Sequence, residues 1–192
     1  TNEPVVLSVP NPAGAQSMVV TFGYFDAGND WWWAIDNITV AIGEPQPALV
    51  PASEGFSSLV LGPNVDEELA GDAVWTKTAP SGWSIDDSGV PGVGDPAQDG
   101  VTEWAGWSFA DKDWWAEATG DQRRSEFTKA SGTIAIADGD EWDDQDHAEG
   151  YLDTFMSWPL DVSGVSGALE LRFDSSWRPE YDSNYHQTAN IT

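Results

Sequence analysis

The side chains in this sequence that could do chemistry are overwhelmingly carboxylates, and they gather in two runs. The first is "FDAGNDWWWAIDNITV", where Asp26, Asn29, Asp30 and Asp36 bring side-chain oxygens near one another. Hard cations of the calcium type prefer such oxygen ligands, so this run is a candidate metal site. The structural alternative is that Asp26 and Asn29 shape a turn while Asp36 accepts backbone hydrogen bonds. The second run, "ADGDEWDDQDHAEG", spaces Asp138, Asp140, Asp143 and Asp144 closely. It lacks the glycine and glutamate of an EF-hand at the required offsets, so that pattern fails. It reads as a solvated acidic loop whose mutual repulsion a bound cation would relieve.

Charge bounds the partners. Seven Lys and Arg stand against 33 Asp and Glu, a net charge of -26. Such a field repels nucleic acid and anionic membranes and attracts cations. No apolar stretch is long enough for a membrane-spanning helix, so membrane insertion is not expected. There is no cysteine, which excludes disulfides and thiolate zinc sites. His147 and His186 show no metal-ligand spacing, and neither a nucleophile elbow nor a phosphate loop occurs. Only the abundance of acids speaks for a hydrolase, and abundance does not place a catalytic pair. The chain therefore reads as no enzyme.

The elements that must position these groups are strands. "SMVVTFGYF" sets Met18, Val20, Phe22 and Tyr24 on one face, and "LELRFDSSW" alternates Leu169, Leu171 and Phe173 with polar residues. "GTIAIAD", "GFSSLVLG" and "GWSID" are further candidates, separated by turn-forming Gly, Pro, Asn and Asp. Around Gly120 at most one helical turn is expected. The pattern predicts an all-β antiparallel sandwich. In the tryptophan run, alternation sends Trp31 and Trp33 one way and Trp32 the other. Ile35 and Ile38 cannot share a face without a slip, so a bulge is expected at Asp36–Asn37, with Ile38 and Val40 in step beyond it. Trp104, Trp107, Trp114 and Trp115 lie in irregular sequence and are the candidates for sugar stacking. Core or interface packing is the weightier alternative, because a small sandwich needs bulky fillers. Arg172 and Arg178 are expected to pair with acids near "FDSSWRPEYD".

A Pro-rich stretch, residues 43–53, reads as an extended linker. It divides the chain into a piece of two or three strands, 1–42, too few to be stable alone, and a longer one, 54–192.

The segments "EGFSSLVLGP", "WTKTAPSGWSID", "EWAGWSFADKDWWAEATGDQRRSEFTKASGTIAIADGDEWDD", "LELRFDSSWRP" and "AGNDWWWAIDNITV" resemble a jelly-roll β-sandwich module. That module occurs in large secreted bacterial proteins, often beside metallophosphoesterase domains, and is similar in architecture to MAM and laminin-G modules. In the family the "DWWWAIDN" strand closes the domain and the "GFSSLVLGP" strand opens it. The order is reversed here, which implies the tail of one copy (1–42) followed by the head of the next (54–192). The resemblance also implies a calcium site pairing Asp36 with Glu54, which would here belong to successive copies. An unfinished sandwich exposes an apolar face and an open edge, so the missing strands must come from a neighbouring copy or subunit. The expected function is a non-catalytic extracellular or cell-surface repeat that assembles head-to-tail by strand complementation into a fibre, surface layer or adhesin. The alternative is a polysaccharide-binding or calcium-dependent accessory module of a secreted hydrolase.

Overall fold

Strand-forming alternation dominates the computed structural model, which describes residues 2–42, 52–68, 71–180 and 186–192. In chain order the strands are β1 (Glu3–Val9), β2 (Ser17–Ala27), β3 (Trp32–Ile42), β4 (Ala52–Glu54), β5 (Gly62–Pro63), β6 (Ala73–Thr76), β7 (Ser84–Gly89), β8 (Ser108–Asp111), β9 (Thr133–Asp138), β10 (Leu152–Asp161), β11 (Leu169–Trp177) and β12 (Thr188–Ile191). The larger antiparallel sheet runs β1-β11-β3-β9-β8-β6-β5, with β4 also paired to β3, and the smaller runs β12-β2-β10-β7. The two sheets pack face to face as an all-β sandwich. The period-two pattern explains why: Val20, Phe22 and Tyr24 of β2, Met156, Trp158 and Leu160 of β10, and Leu169, Leu171 and Phe173 of β11 all turn inward. "GFSSLVLG" is not a strand, since Phe56 takes a left-handed φ of 55° and buries its ring from a turn.

Strands from both sides of residue 43 interleave. β2 lies between β12 and β10, and β3 lies between β11 and β9. Residues 2–42 thus supply central strands to both sheets of the sandwich to which residues 54–192 contribute. Most of the expected linker, 43–53, lies outside the described residues; Ala52 and Ser53 sit in β4, opposite Val40 and Thr39.

β3 carries the expected slip. Asp36 faces Asp174 and Thr39 faces Arg172, so Asn37 and Ile38 together oppose Phe173. Asn37 adopts φ 54°, a left-handed conformation that Asn tolerates better than most residues. The bulge resets the register, and Ile35, Ile38 and Val40 are all fully buried.

The tryptophan run reads out both faces of the larger sheet. Trp33 points between the sheets, where it meets Phe22, Trp107 and Phe173. Trp32 points outward, yet it is 1% exposed, because helix α1 (Lys112–Ala118) and the turn at Arg124–Glu126 cover that face. Each indole donates to a successive serine of β11: Trp32 to Ser176 and Trp33 to Ser175, both at 3.1 Å. Burying each ring contributes on the order of 4 kcal/mol. Trp31 precedes the strand and does not follow Trp33 inward. Its ring stands edge-on to Trp32 and lies beneath the Arg178 guanidinium, 3.2 Å from the centroid. Helix α1 starts where Asp111 Oδ1 accepts the N–H groups of Asp113 and Trp114 at 3.0 Å, and α2 (Gly139–Trp142) starts at Asp138 in the same way.

Candidate functional site

The acids expected to act together are split by topology. Asp26 ends β2 in the smaller sheet, and Asp36 lies four residues into β3 of the larger one, roughly 13 Å along that strand. At the crossing between sheets, Asp26 occupies a second bulge and its N–H donates to Asp153 Oδ1 at 2.8 Å. Asp30 is fully buried and accepts from Gly28 N–H at 2.8 Å and Gln187 N–H at 3.4 Å. Asn29 lies in the same crossing loop. These residues secure the crossing and do not converge on Asp36.

Asp36 and Glu54 do come together, with Asp174 as a third acid. The register sets Glu54 opposite Ile38 and Asp174 opposite Asp36. The Asp36 carboxylate accepts from Asn37 N–H at 2.7 Å and from Ser131 N–H at 3.3 Å. Glu54 Oε1 accepts from the N–H groups of Gly55 and Phe56, and Asp174 Oδ2 accepts from Asn37 Nδ2 at 3.0 Å. Burial pushes the Asp36 pKa up to about 6, and repulsion from Asp174 and Glu54 adds to it, although the two backbone N–H bonds work the other way. The oxygens at this corner are already at work shaping the bulge and the turn after β4. Among the described residues, no group of three or more His, Asp or Glu is arranged to hold a metal ion.

The second acidic run is not a solvated loop at its start. Asp138 is fully buried and closes around Arg124, itself fully buried, with Nε to Oδ2 at 3.0 Å and Nη2 to Oδ1 at 3.1 Å. Asp140 and Glu141 reach the same guanidinium at 3.1 and 2.7 Å. Trp115 Nε1 donates to Asp138 Oδ2 at 2.8 Å, and the guanidinium lies over the Trp32 ring at 4.4 Å. Burial works against the Arg124 charge, but Asp138, Glu141 and Asp140 more than offset it and raise its pKa. One guanidinium cannot neutralise three acids. Burial, then Asp138 and Asp140, push the Glu141 pKa up, while the Arg124 guanidinium it touches works the other way. Further along, Asp143 pairs with His147, and Asp144 is exposed. The acidic run packs inward because an arginine from "GDQRRSEF" folds over the sheet to meet it. The rarity of Arg in so acidic a chain was the signal in the sequence. Arg172 pairs with Glu170 as expected, whereas Arg178 stacks on Trp31 and donates to the Gln122 carbonyl.

Burial decides between the two readings of the four tryptophans, for packing and against sugar stacking. Trp104, Trp107 and Trp115 are fully buried, and Trp114 is half-buried against the Trp104 ring at 5.7 Å. Trp107 fills the space between the sheets, while Trp115 lies under α1 on the outer face.

The surface that the sequence did not reveal is an open side of the sandwich. β1 forms one edge of the larger sheet, its Val5 facing Phe173 and Leu7 facing Leu171. The smaller sheet stops on this side at β12, only four residues long. Between the two edges lies a groove of about 620 Å³ whose apolar lining comes from Val5, Leu7, Trp33, Phe173, Trp177 and Ile191. Leu7 is 37% exposed and Val6 53%. The groove has the shape left when one sheet extends a strand further than its partner.

Comparison of the chain with protein-family models, with curated proteins and with solved structures gives no match in any of the three.

Proposed function

We propose that this chain is a non-catalytic, extracellular structural or adhesive β-sandwich module that joins neighbouring copies along its open side. The observation that carries this reading is the groove between β1 and β12, where apolar inward-facing residues meet two sheet edges. A strand from a neighbouring copy would cover Leu7 and Val5 and pair with an edge, which is the usual chemistry of strand addition. Strand exchange of residues 2–42 between copies would make the same contacts as the closure within one chain, in the manner of a domain swap. The resemblance to secreted sandwich modules and the acidic composition support an extracellular setting. Calcium enters this reading mainly as a counterion, since a net charge of -26 opposes the approach of a second copy.

The test is sedimentation velocity. The chain should be monomeric at low salt and associate in about 0.5 M NaCl, where the Debye length falls below about 5 Å, or with added CaCl2. Leu7→Lys should abolish association at every salt concentration. A monomer under all conditions, or association indifferent to Leu7→Lys, would overturn the proposal.

A further inference from the structure

On the side opposite the groove, a second cleft of about 640 Å³ opens between the β6 end of the larger sheet, the β7 edge of the smaller and the loop over residues 90–105. Its polar lining includes Lys77, Asp87 and Asp99, and its apolar walls come from Trp83, Ile85 and Val93. Lys77 is fully engaged. Its ammonium donates to Asp87 Oδ2 at 3.3 Å, to the Ala105 carbonyl, and to the Trp107 carbonyl at 3.2 Å. Asp87 in turn takes the Thr154 hydroxyl on Oδ1 at 2.5 Å. This pair is therefore self-satisfied.

Asp99 is the exception. It is 8% exposed, and its buried Oδ1 has no hydrogen-bond partner. A desolvated carboxylate oxygen without a donor is costly, and such groups call for a partner. Its charged neighbours make matters worse: Asp66 and Asp95 both repel it, and Lys77, already spent on Asp87, only weakly offsets them. Burial, followed by these two acids, raises the Asp99 pKa, although a hydrogen bond from the residue's own backbone N–H works the other way. A cation in the cleft would neutralise the Asp99 carboxylate and relieve this repulsion. The walls beside it are apolar, so the charged head should sit on an apolar stem.

We propose that this cleft binds a primary ammonium group carried on an alkyl stem, such as the end of a lysine side chain or an alkyl diamine. The ammonium pairs with the Asp99 carboxylate where it lines the cleft, and the stem lies against Trp83, Ile85 and Val93. The proposal stands independently of assembly through the β1–β12 groove, since the two openings lie on opposite sides.

The experiment is isothermal titration calorimetry of the full chain with n-pentylammonium chloride, at fixed ionic strength. Asp99→Asn should weaken binding at least about tenfold, the loss expected for one charge-assisted contact. Asp113→Asn removes the same unit of charge from an 88% exposed side chain and should change little. Val93→Phe fills the mouth of the cleft from a 48% exposed position and should block binding even if Asp99→Asn fails to fold. 1-Pentanol, isosteric but neutral, should not bind. Equal loss in Asp99→Asn and Asp113→Asn would show diffuse counterion binding to the acidic surface and overturn the proposal. Binding of pentanol or of a neutral disaccharide in place of the ammonium would overturn it too.

Discussion

Two places in this molecule set a single cation among several acids, and they resolve the problem in opposite ways. At Arg124 every oxygen of Asp138 meets a donor, the guanidinium is stacked on Trp32, and Glu141, its pKa raised by burial, closes on the same guanidinium. At Lys77 the cation satisfies Asp87 and two carbonyls, and Asp99 is left beside open space with an oxygen that nothing satisfies. The first arrangement is closed by α1 and the outer face of the sheet. The second is open to solvent. Buried charge that is fully paired holds a fold together, whereas buried charge left unpaired next to a cleft is available to a ligand.

The largest effect should come from breaking the closed centre. Arg124→Met leaves Asp138 buried without its partner and should cost about 3–5 kcal/mol in denaturant unfolding. Arg124→Lys should rescue little, because an ammonium cannot make the two-pronged contact to Asp138 while stacking on Trp32.

The Asp36 corner lies between the two extremes, since its carboxylate is partnered yet crowded by Asp174 and Glu54. Its folded pKa of about 6 lies above the unfolded value of 3.8, so the folded form retains a proton that the unfolded form releases. That group therefore favours the fold at low pH. Its contribution falls as pH rises from about 4 to 6 and the loss, about 2–3 kcal/mol at most, is complete above that window. Thermal melts of wild type and Asp36→Asn across this range should show it. The stability difference between them should shift in favour of Asp36→Asn as pH rises, and a constant difference would count against the assignment.

A smaller effect is expected at Gly106, which connects the open cleft to the core. Its φ is 95°, and an added Cβ would fall 2.0 Å from Asp87 Oδ1. Gly106→Ala should cost about 2 kcal/mol by unfolding, from backbone strain and displacement of Asp87. It should also weaken n-pentylammonium binding, because Lys77 would lose its acid and become free to repel the ligand.

The sequence showed the frame better than the sites. Alternation in β2 and β11 and the slip at Asp36–Asn37 were readable, because side-chain period and register are local properties. The resemblance put Asp36 and Glu54 in successive copies, whereas the register of β3 and β4 brings them together within one chain. Packing was the weightier reading of Trp104, Trp107 and Trp115, but that Trp115 lies on the outer face was not readable, because the segment from α1 to the Arg124 turn covers strands distant in sequence. The same cover draws Asp138 and Asp140 inward from what looked like a solvated loop. Asp99 gave no signal at all: "PAQDG" reads as an ordinary turn, and only the fold sets its carboxylate at a cleft near Asp66 and Lys77.

The most direct test of the contrast is equilibrium unfolding of Arg124→Met and Asp99→Asn side by side, in the absence of any ligand. Arg124→Met should lose about 3–5 kcal/mol, and Asp99→Asn should stay within about 1 kcal/mol of wild type or exceed it, since an unpaired buried charge has been removed. A loss at Asp99→Asn as large as that at Arg124→Met would contradict the account, for it would make both acids part of the scaffold.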